Sequence, residues 1–191
     1  SISLSPNVQK DDVVLALRLL FQPWKWKKGN AIKEFEENFA KYLGVKYAFS
    51  FNSGRSSLYA ILLALNLPKG SDILLQAFTC NAVPNPLLWA GLNPIYVDCD
   101  NNFNINIVSL REILRSKKDS KVLVAQHTFG LPANLDEIMA IAKEHNLIVI
   151  EDCAHALGAE YKYFNTSKYG SKENLQKVGT FGDVAFFSFS R

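Results

Sequence analysis

The sequence predicts an α/β protein, a three-layer sandwich built around a mainly parallel sheet. Two observations carry that prediction. Strand-like and helix-like periodicities alternate from residue 46 to residue 152, the pattern of a parallel sheet joined by helical crossovers. Within that stretch KVLVAQ (121–126) and LIVIED (147–152) are apolar without alternation, as strands covered on both faces are. The material for a core is there: 48% of the 191 residues are hydrophobic and 12% aromatic. The chain is expected to divide into a helical segment, 1–45, and one large domain, 46–191, incomplete at its C-terminal end.

Taken in order, DVVLALRLLF (12–21) sets Val13, Leu17, Leu20 and Phe21 on one helical face. Pro23 and Gly29 break the pattern, and AIKEFEENFAKYL (31–43) resumes it, with Gly44 as its stop. KYAFSF (46–51) reads as a strand. A helix carrying Leu58, Ile61, Leu62 and Leu65 follows the turn NSGR, and DILLQA (72–77) is the next strand. Residues 82–90 read as a helix despite Pro84 and Pro86. NPIYVD (93–98) is a strand, and Asn106 stands where an N-cap would open a helix over 107–115. The strand 121–126 leads to a helix over 134–145, marked by Leu135, Ile138, Met139 and Ala142, and then to the strand 147–152. The polar stretch 160–177 reads as a flap, a hairpin or a mobile loop. DVAFFSF (183–189) is the last strand. With no neighbour to cover it, Phe186, Phe187 and Phe189 are expected to be partly exposed, and the sequence reads as cut rather than finished.

Composition excludes several function classes. Twenty-one Lys and Arg against 18 Asp and Glu leave a net charge of +3, and Lys117–Lys118 is no basic stripe, so nucleic acid is not an expected partner. The longest apolar runs fall far short of the ~20 residues that cross a bilayer, and SISLSPNVQKDD has no signal-peptide pattern. No membrane partner is expected, and the location expected is the cytoplasm, with Cys80, Cys99 and Cys153 as reduced thiols. Those cysteines fit no zinc spacing. His127, His145 and His155 include no i, i+4 pair, so no metal site is expected.

In an open α/β sheet, ligands bind beyond the carboxyl ends of the strands. The polar residues placed there are therefore the candidates. Asn52-Ser53-Gly54-Arg55-Ser56-Ser57 forms a strand-to-helix turn whose amides suit a phosphate, or else an ordinary capped turn. Asp152 ends a buried apolar strand, where a carboxylate needs a partner. A protonated ring nitrogen is one such partner, and a satisfied strand-end Asp is the plain alternative. His155, three residues on, is placed to reach the same ligand. Ser188 ends the last strand, where it binds phosphate or simply turns the chain. His127 reads as structural or substrate-adjacent rather than catalytic. Trp24 and Trp26 read as packing or an interface.

Five segments, NSGRSSL, PIYVDCD, HTFGLPANLDEI, IEDCAHALGA and VGTFGDVAFFSFSR, stand in this order. Together they resemble the DegT/StrS family of pyridoxal-phosphate-dependent sugar aminotransferases, over about Gly29 to Arg191. The resemblance implies the large domain of the type I aminotransferase fold, truncated here. It implies Asp152 against the pyridine nitrogen of pyridoxal 5'-phosphate, His155 beside the ring, and Gly54, Arg55, Ser56 and Ser188 around the phosphate. Asp152 and His155 would then be the catalytic pair. It also implies nucleotide-sugar and amino-acid substrates and a homodimer. Arg55 stands where the family usually has Thr, and Cys80 where many members carry a ring-stacking aromatic; Phe78 lies two residues earlier. The family's cofactor-bonding lysine would fall roughly two residues past Arg191, so the 191-residue chain alone is expected to be inactive. Two other functions fit the same residues: a pyridoxal-phosphate-dependent sugar dehydratase with His in place of that lysine, and a non-catalytic binder of cofactor or sugar.

Overall fold

A computed structural model describes residues 9–26, 30–117, 119–167 and 170–189, the side chains of 164–173 excepted. Gly29, Lys118 and Arg191, used above, lie outside the described residues. The chain divides into two compact units between Ser50 and Phe51.

The second unit carries the sheet. Its elements are α3 (Gly54–Ala64), β1 (Asp72–Gln76), α4 (Pro84–Trp89), β2 (Asn93–Val97), α5 (Ile107–Ser116), β3 (Val122–Gln126), α6 (Leu135–His145), β4 (Ile148–Asp152), β5 (Glu160–Ser167), β6 (Gly170–Lys177) and β7 (Val184–Phe186). Five strands form one sheet in the order β2-β1-β3-β4-β7, and each neighbouring pair is parallel. Alternation along the strands assigns the two faces. Leu74, Leu123 and Val149 stand side by side in register and pack with Leu110 and Leu114 of α5 and Ile138 and Ile141 of α6. One residue on, Leu75, Val124 and Ile150 point the other way, into Leu58 and Leu62 of α3 and Leu87 of α4. These are the three layers the sequence predicts. Leu58 and Leu87 are wholly buried, each contributing about 1.5–3 kcal/mol by removing its side chain from water.

The helix starts follow local chemistry. Ser53, Asn106 and Asn134 each accept an amide N–H from three residues on, those of Ser56, Ser109 and Glu137, so each cap satisfies a donor the helix cannot. β5 and β6 pair antiparallel along their full length, Glu160 opposite Lys177 and Ser167 opposite Gly170. Of the three forms open to 160–177, the chain takes the hairpin.

The first unit holds α1 (Lys10–Leu20) and α2 (Asn30–Leu43). α1 buries none of its residues, and the Trp26 indole N–H donates to the Leu19 carbonyl at 2.6 Å. On α2, Phe35 and Phe39 stack at 5.7 Å. Gly44, at φ +77°, ends α2 with its amide on the Ala40 carbonyl, a turn that a side chain would strain.

Two sequence expectations fail. KYAFSF forms no strand. A strand exists only through a pairing neighbour, and the Ser50 amide and hydroxyl donate instead to the Glu36 carboxylate at 2.7 and 2.8 Å. The last strand is shorter than DVAFFSF, and the exposure expected of its phenylalanines holds for Phe187 and Phe189 but not for Phe186. Phe186 is only 5% exposed and packs in the α3/α4 core. Phe187 turns to the other face, beside Cys153 and Val178. Phe189 alone of the three is largely exposed.

Candidate functional site

The carboxyl ends of β4 and β7 meet the N-terminus of α3. Gly54 makes the approach. A Cβ built on it would lie 3.0 Å from Ser188 Cβ and 3.3 Å from Ser188 Oγ, so a side chain there would wedge the helix off the strand end. Ser53 spends its side chain on the Ser56 amide at 3.2 Å and its carbonyl on the Ser57 amide at 3.0 Å. The amides of Gly54 and Arg55 make no hydrogen bond among the described residues. Two unspent N–H groups at the positive end of a helix, with a serine hydroxyl beside them, suit an anion. The Ser56 hydroxyl lies 3.0 Å from that of Ser53, and the Arg55 side chain is exposed.

Asp152 ends β4 in register with Gln126 on one side and Phe186 on the other. It lies two residues beyond Ile150, so its side chain shares the α3 face of the sheet with Ser188. It is 3% exposed. The one hydrogen bond to its carboxylate among the described residues comes from the Ala154 amide, to Oδ1 at 3.0 Å. Burial pushes its pKa up to about 6, against the Ala154 N–H and the His127 and His155 imidazoles, which pull it down. Among the described residues this buried carboxylate has one neutral donor and no Lys or Arg ion pair. His155 is exposed, its ring parallel to that of Phe129 with centroids 6.0 Å apart.

Glu151 looks the other way and is fully buried. Its Oε1 accepts the amides of Phe181 and Gly182, both at 2.7 Å. Its Oε2 accepts the Gly179 amide at 2.8 Å and lies 3.1 Å from His127 Nε2. Burial pushes its pKa up, but the His127 bond and the Gly182 and Gly179 amides outweigh it and hold the carboxyl below its ordinary value. His127 is buried too, and its Nδ1 accepts the Ala133 amide at 3.1 Å, which makes it structural. Cys153 completes a group whose ligand-type atoms lie within 4.8 Å of one another. That group is closed rather than open to an ion: both His127 nitrogens and both Glu151 oxygens are engaged, and burial pushes the Cys153 thiol pKa up.

Sequence reasoning missed the role of Glu151, whose donors are backbone amides. It also missed a cluster of exposed rings beside His155. Phe78 lies 5.0 Å from Phe103 and 6.0 Å from Phe129, centroid to centroid. Phe103 and Phe129 hold left-handed backbones, φ 59° and 54°, at a cost of about 1–3 kcal/mol each. Buried polar groups keep them there. Gln76 Nε2 donates to the carbonyls of Phe78 and Phe103 at 2.7 and 2.8 Å. The Thr128 hydroxyl donates to the Phe103 carbonyl at 2.9 Å, and the Thr128 amide to Asn104 Oδ1 at 2.9 Å. Cys80 is exposed, and its Sγ accepts the Ala82 amide at 3.5 Å.

Comparison with known proteins gives the arrangement a context. Residues 8–191 match the model of the DegT/DnrJ/EryC1/StrS aminotransferase family. A GDP-perosamine synthase from Escherichia coli O157:H7 is 36% identical over 167 residues, covering 87% of this chain and 42% of the relative. Among solved structures, an aminotransferase from Psychrobacter cryohalolentis superposes with a TM-score of 0.82 at 28% identity, over 99% of this chain and 45% of that one. A GDP-4-keto-6-deoxy-D-mannose-3-dehydratase from E. coli, solved with hydrated PLP bound, superposes with a TM-score of 0.76 at 28% identity, over 95% and 45%. The chain spans less than half the length of each.

Proposed function

The chain belongs to the DegT/DnrJ/EryC1/StrS aminotransferase family, and on that premise we propose that the whole protein moves an amino group from an amino acid such as glutamate to a nucleotide-linked keto-sugar, with pyridoxal phosphate as cofactor. One observation carries the reading: Asp152, buried and with no Lys or Arg ion pair among the described residues, shares the α3 face of the sheet end with Ser188 and the unspent amides of Gly54 and Arg55. Those residues fit a cofactor that is anionic at one end and carries a protonated nitrogen at the other. Bound there, pyridoxal phosphate supplies an electron sink for the carbon that exchanges the amino group.

The chain's own residues do the rest. The Gly54 and Arg55 amides, with the hydroxyls of Ser188 and Ser56, hold the phosphate. Asp152 holds the proton on the ring nitrogen, since a carboxylate in a low-dielectric site favours a cation beside it. His155 stands beside the ring.

The test is the purified whole protein with pyridoxal phosphate, glutamate and a nucleotide-linked keto-sugar. The expected product is the amino-sugar nucleotide, read by mass spectrometry. A deoxygenated sugar would support the dehydratase reading, which the likeness to the E. coli dehydratase favours. Uptake of cofactor with neither product would leave a non-catalytic binder.

In this reading the protein works in the cytoplasm as a homodimer. Among the described residues no helix is long and apolar enough to cross a membrane. Phe21, Trp24 and Trp26 are 81%, 69% and 61% exposed, next to the uncovered apolar residues Val13, Leu17 and Leu20 of α1. Large exposed aromatics anchor interfaces. Replacing Trp24 and Trp26 by Ser is expected to weaken dimerisation at least about tenfold, measured by light scattering after size exclusion. An unchanged dimer would place the contact elsewhere.

A further inference from the structure

β4 ends in two adjacent buried carboxylates that alternation sends to opposite faces of the sheet, and the proposed reaction uses only Asp152. We infer that Glu151 is a positioning residue for His155, acting from the far face through His127 and the turn that carries Phe129. The inference rests on the reading of the Asp152 face as the cofactor site.

The path is a chain of contacts. Glu151 accepts the amides of Gly179, Phe181 and Gly182, which ties the 178–182 turn to the end of β4. Its remaining acceptor position meets His127 Nε2 at 3.1 Å. Because His127 Nδ1 accepts the Ala133 amide, that nitrogen has a lone pair and the ring proton sits on Nε2, donating to Glu151. The ring is thus held at both nitrogens. Next in sequence come Thr128, fixed by Asn104, then Phe129 at φ 54° and Gly130 at φ 82°. Gly130 sits against His155 closely enough that a Cβ would lie 3.2 Å from the His155 carbonyl oxygen. The Phe129 ring lies parallel to the His155 imidazole, 5° between planes.

Both rings are exposed, so packing around His155 does little to orient it. What fixes it is the parallel Phe129 ring. A bulky residue keeps a left-handed backbone only where its surroundings hold it, and His127, one residue before Thr128, is the anchored side of that turn.

The test uses the whole protein as wild type, Glu151→Gln, Phe129→Ala and His155→Ala, with the Glu151→Gln/His155→Ala and Phe129→Ala/His155→Ala doubles. Without cofactor, the readout is the His155 ring-proton shift, which carries the ring current of Phe129. It is expected to move toward its free value in Glu151→Gln and in Phe129→Ala. With pyridoxal phosphate bound, the readouts are visible circular dichroism of the cofactor and kcat. Glu151→Gln is expected to change the dichroism and lower kcat about tenfold, and to add less than about twofold in the His155→Ala background, since two residues acting through one contact are not additive. Should Glu151→Gln not fold, Phe129→Ala carries the same expectations. A His155 shift unmoved in Glu151→Gln, or effects that add in the doubles, would overturn the inference. A wild type that takes up no pyridoxal phosphate would sink the cofactor reading and leave the ring-shift outcome to decide the positioning role.

Discussion

Asp152→Asn is expected to make the whole protein, stripped of cofactor, more stable at pH 7.5 by about 3 kcal/mol while nearly abolishing turnover. The folded carboxyl has its pKa pushed from 3.8 to about 6. Between those values the folded state binds more protons than the unfolded chain, so stability falls as pH rises. Below about 3.8 both states hold the proton and the carboxyl costs nothing. Above about 6 the full penalty stands, roughly two pKa units at about 1.4 kcal/mol each. Asn is isosteric, keeps an oxygen for the Ala154 amide and never ionises, so the variant escapes that penalty. Urea unfolding from pH 4 to pH 8 should show the two proteins converging at the acid end and separating through pH 4–6. Cofactor loaded into the variant should remain bound through its phosphate, yet turnover should fall at least about 100-fold, the usual cost of removing a charge aimed at the reacting group. A stability gap independent of pH would show that Asp152 is not a buried unpaired carboxylate. Turnover within a few-fold of wild type would remove it from the catalytic machinery.

How much of this was legible in the sequence depends on where each residue finds its partners. Helices and central strands were legible because their signal is local. Leu58, Ile61, Leu62 and Leu65 recur at helical spacing, Asn106 caps within three residues, and 122–125 and 147–150 are apolar on both faces. Elements that depend on a neighbour were not. KYAFSF has strand-like composition but no pairing partner among the described residues. Strands 160–167 and 170–177 pair as a hairpin whose few apolar side chains, Tyr161 and Tyr163 against Phe181, are scattered in a polar sequence, so three forms stayed open.

The site divides in the same way. Gly54, Asp152 and Ser188 were findable because each directly follows a strand or opens a helix, and ligands gather at such ends. Glu151 escaped because its donors are backbone amides at 179, 181 and 182, and any residue type supplies an amide. The left-handed turns at Phe103 and Phe129 escaped for the opposite reason. Sequence rules assign positive φ to Gly and Asn, and here buried Gln76, Asn104 and Thr128 impose it on phenylalanine.

Gly54→Val is expected to weaken cofactor binding at least about 100-fold without unfolding the sheet. The first atom of the new side chain would fall 3.0 Å from Ser188 Cβ and 3.3 Å from its hydroxyl, tighter than ordinary van der Waals contact, so Ser188 must give way by a few tenths of an ångström. The two further methyl groups of Val need more room still, so α3 and the end of β7 must separate. The phosphate then loses the convergence of the Gly54 and Arg55 amides with the Ser188 hydroxyl. Hydrogen bonds to a charged group contribute about 1.5–3 kcal/mol each. Two of them misplaced amount to roughly 3 kcal/mol or more, and every 1.4 kcal/mol is tenfold in affinity. Ser188→Ala removes one donor and leaves the helix where it is, so about tenfold is expected there. The core under α3 is anchored separately, by Leu58 and Leu62 against Ile73, Leu75 and Val124, which is why folding should survive. Equilibrium dialysis against pyridoxal phosphate, with far-ultraviolet dichroism as the check on folding, measures both. A Gly54→Val protein that is folded and binds within a few-fold of wild type would show that the α3 N-terminus does not hold the phosphate.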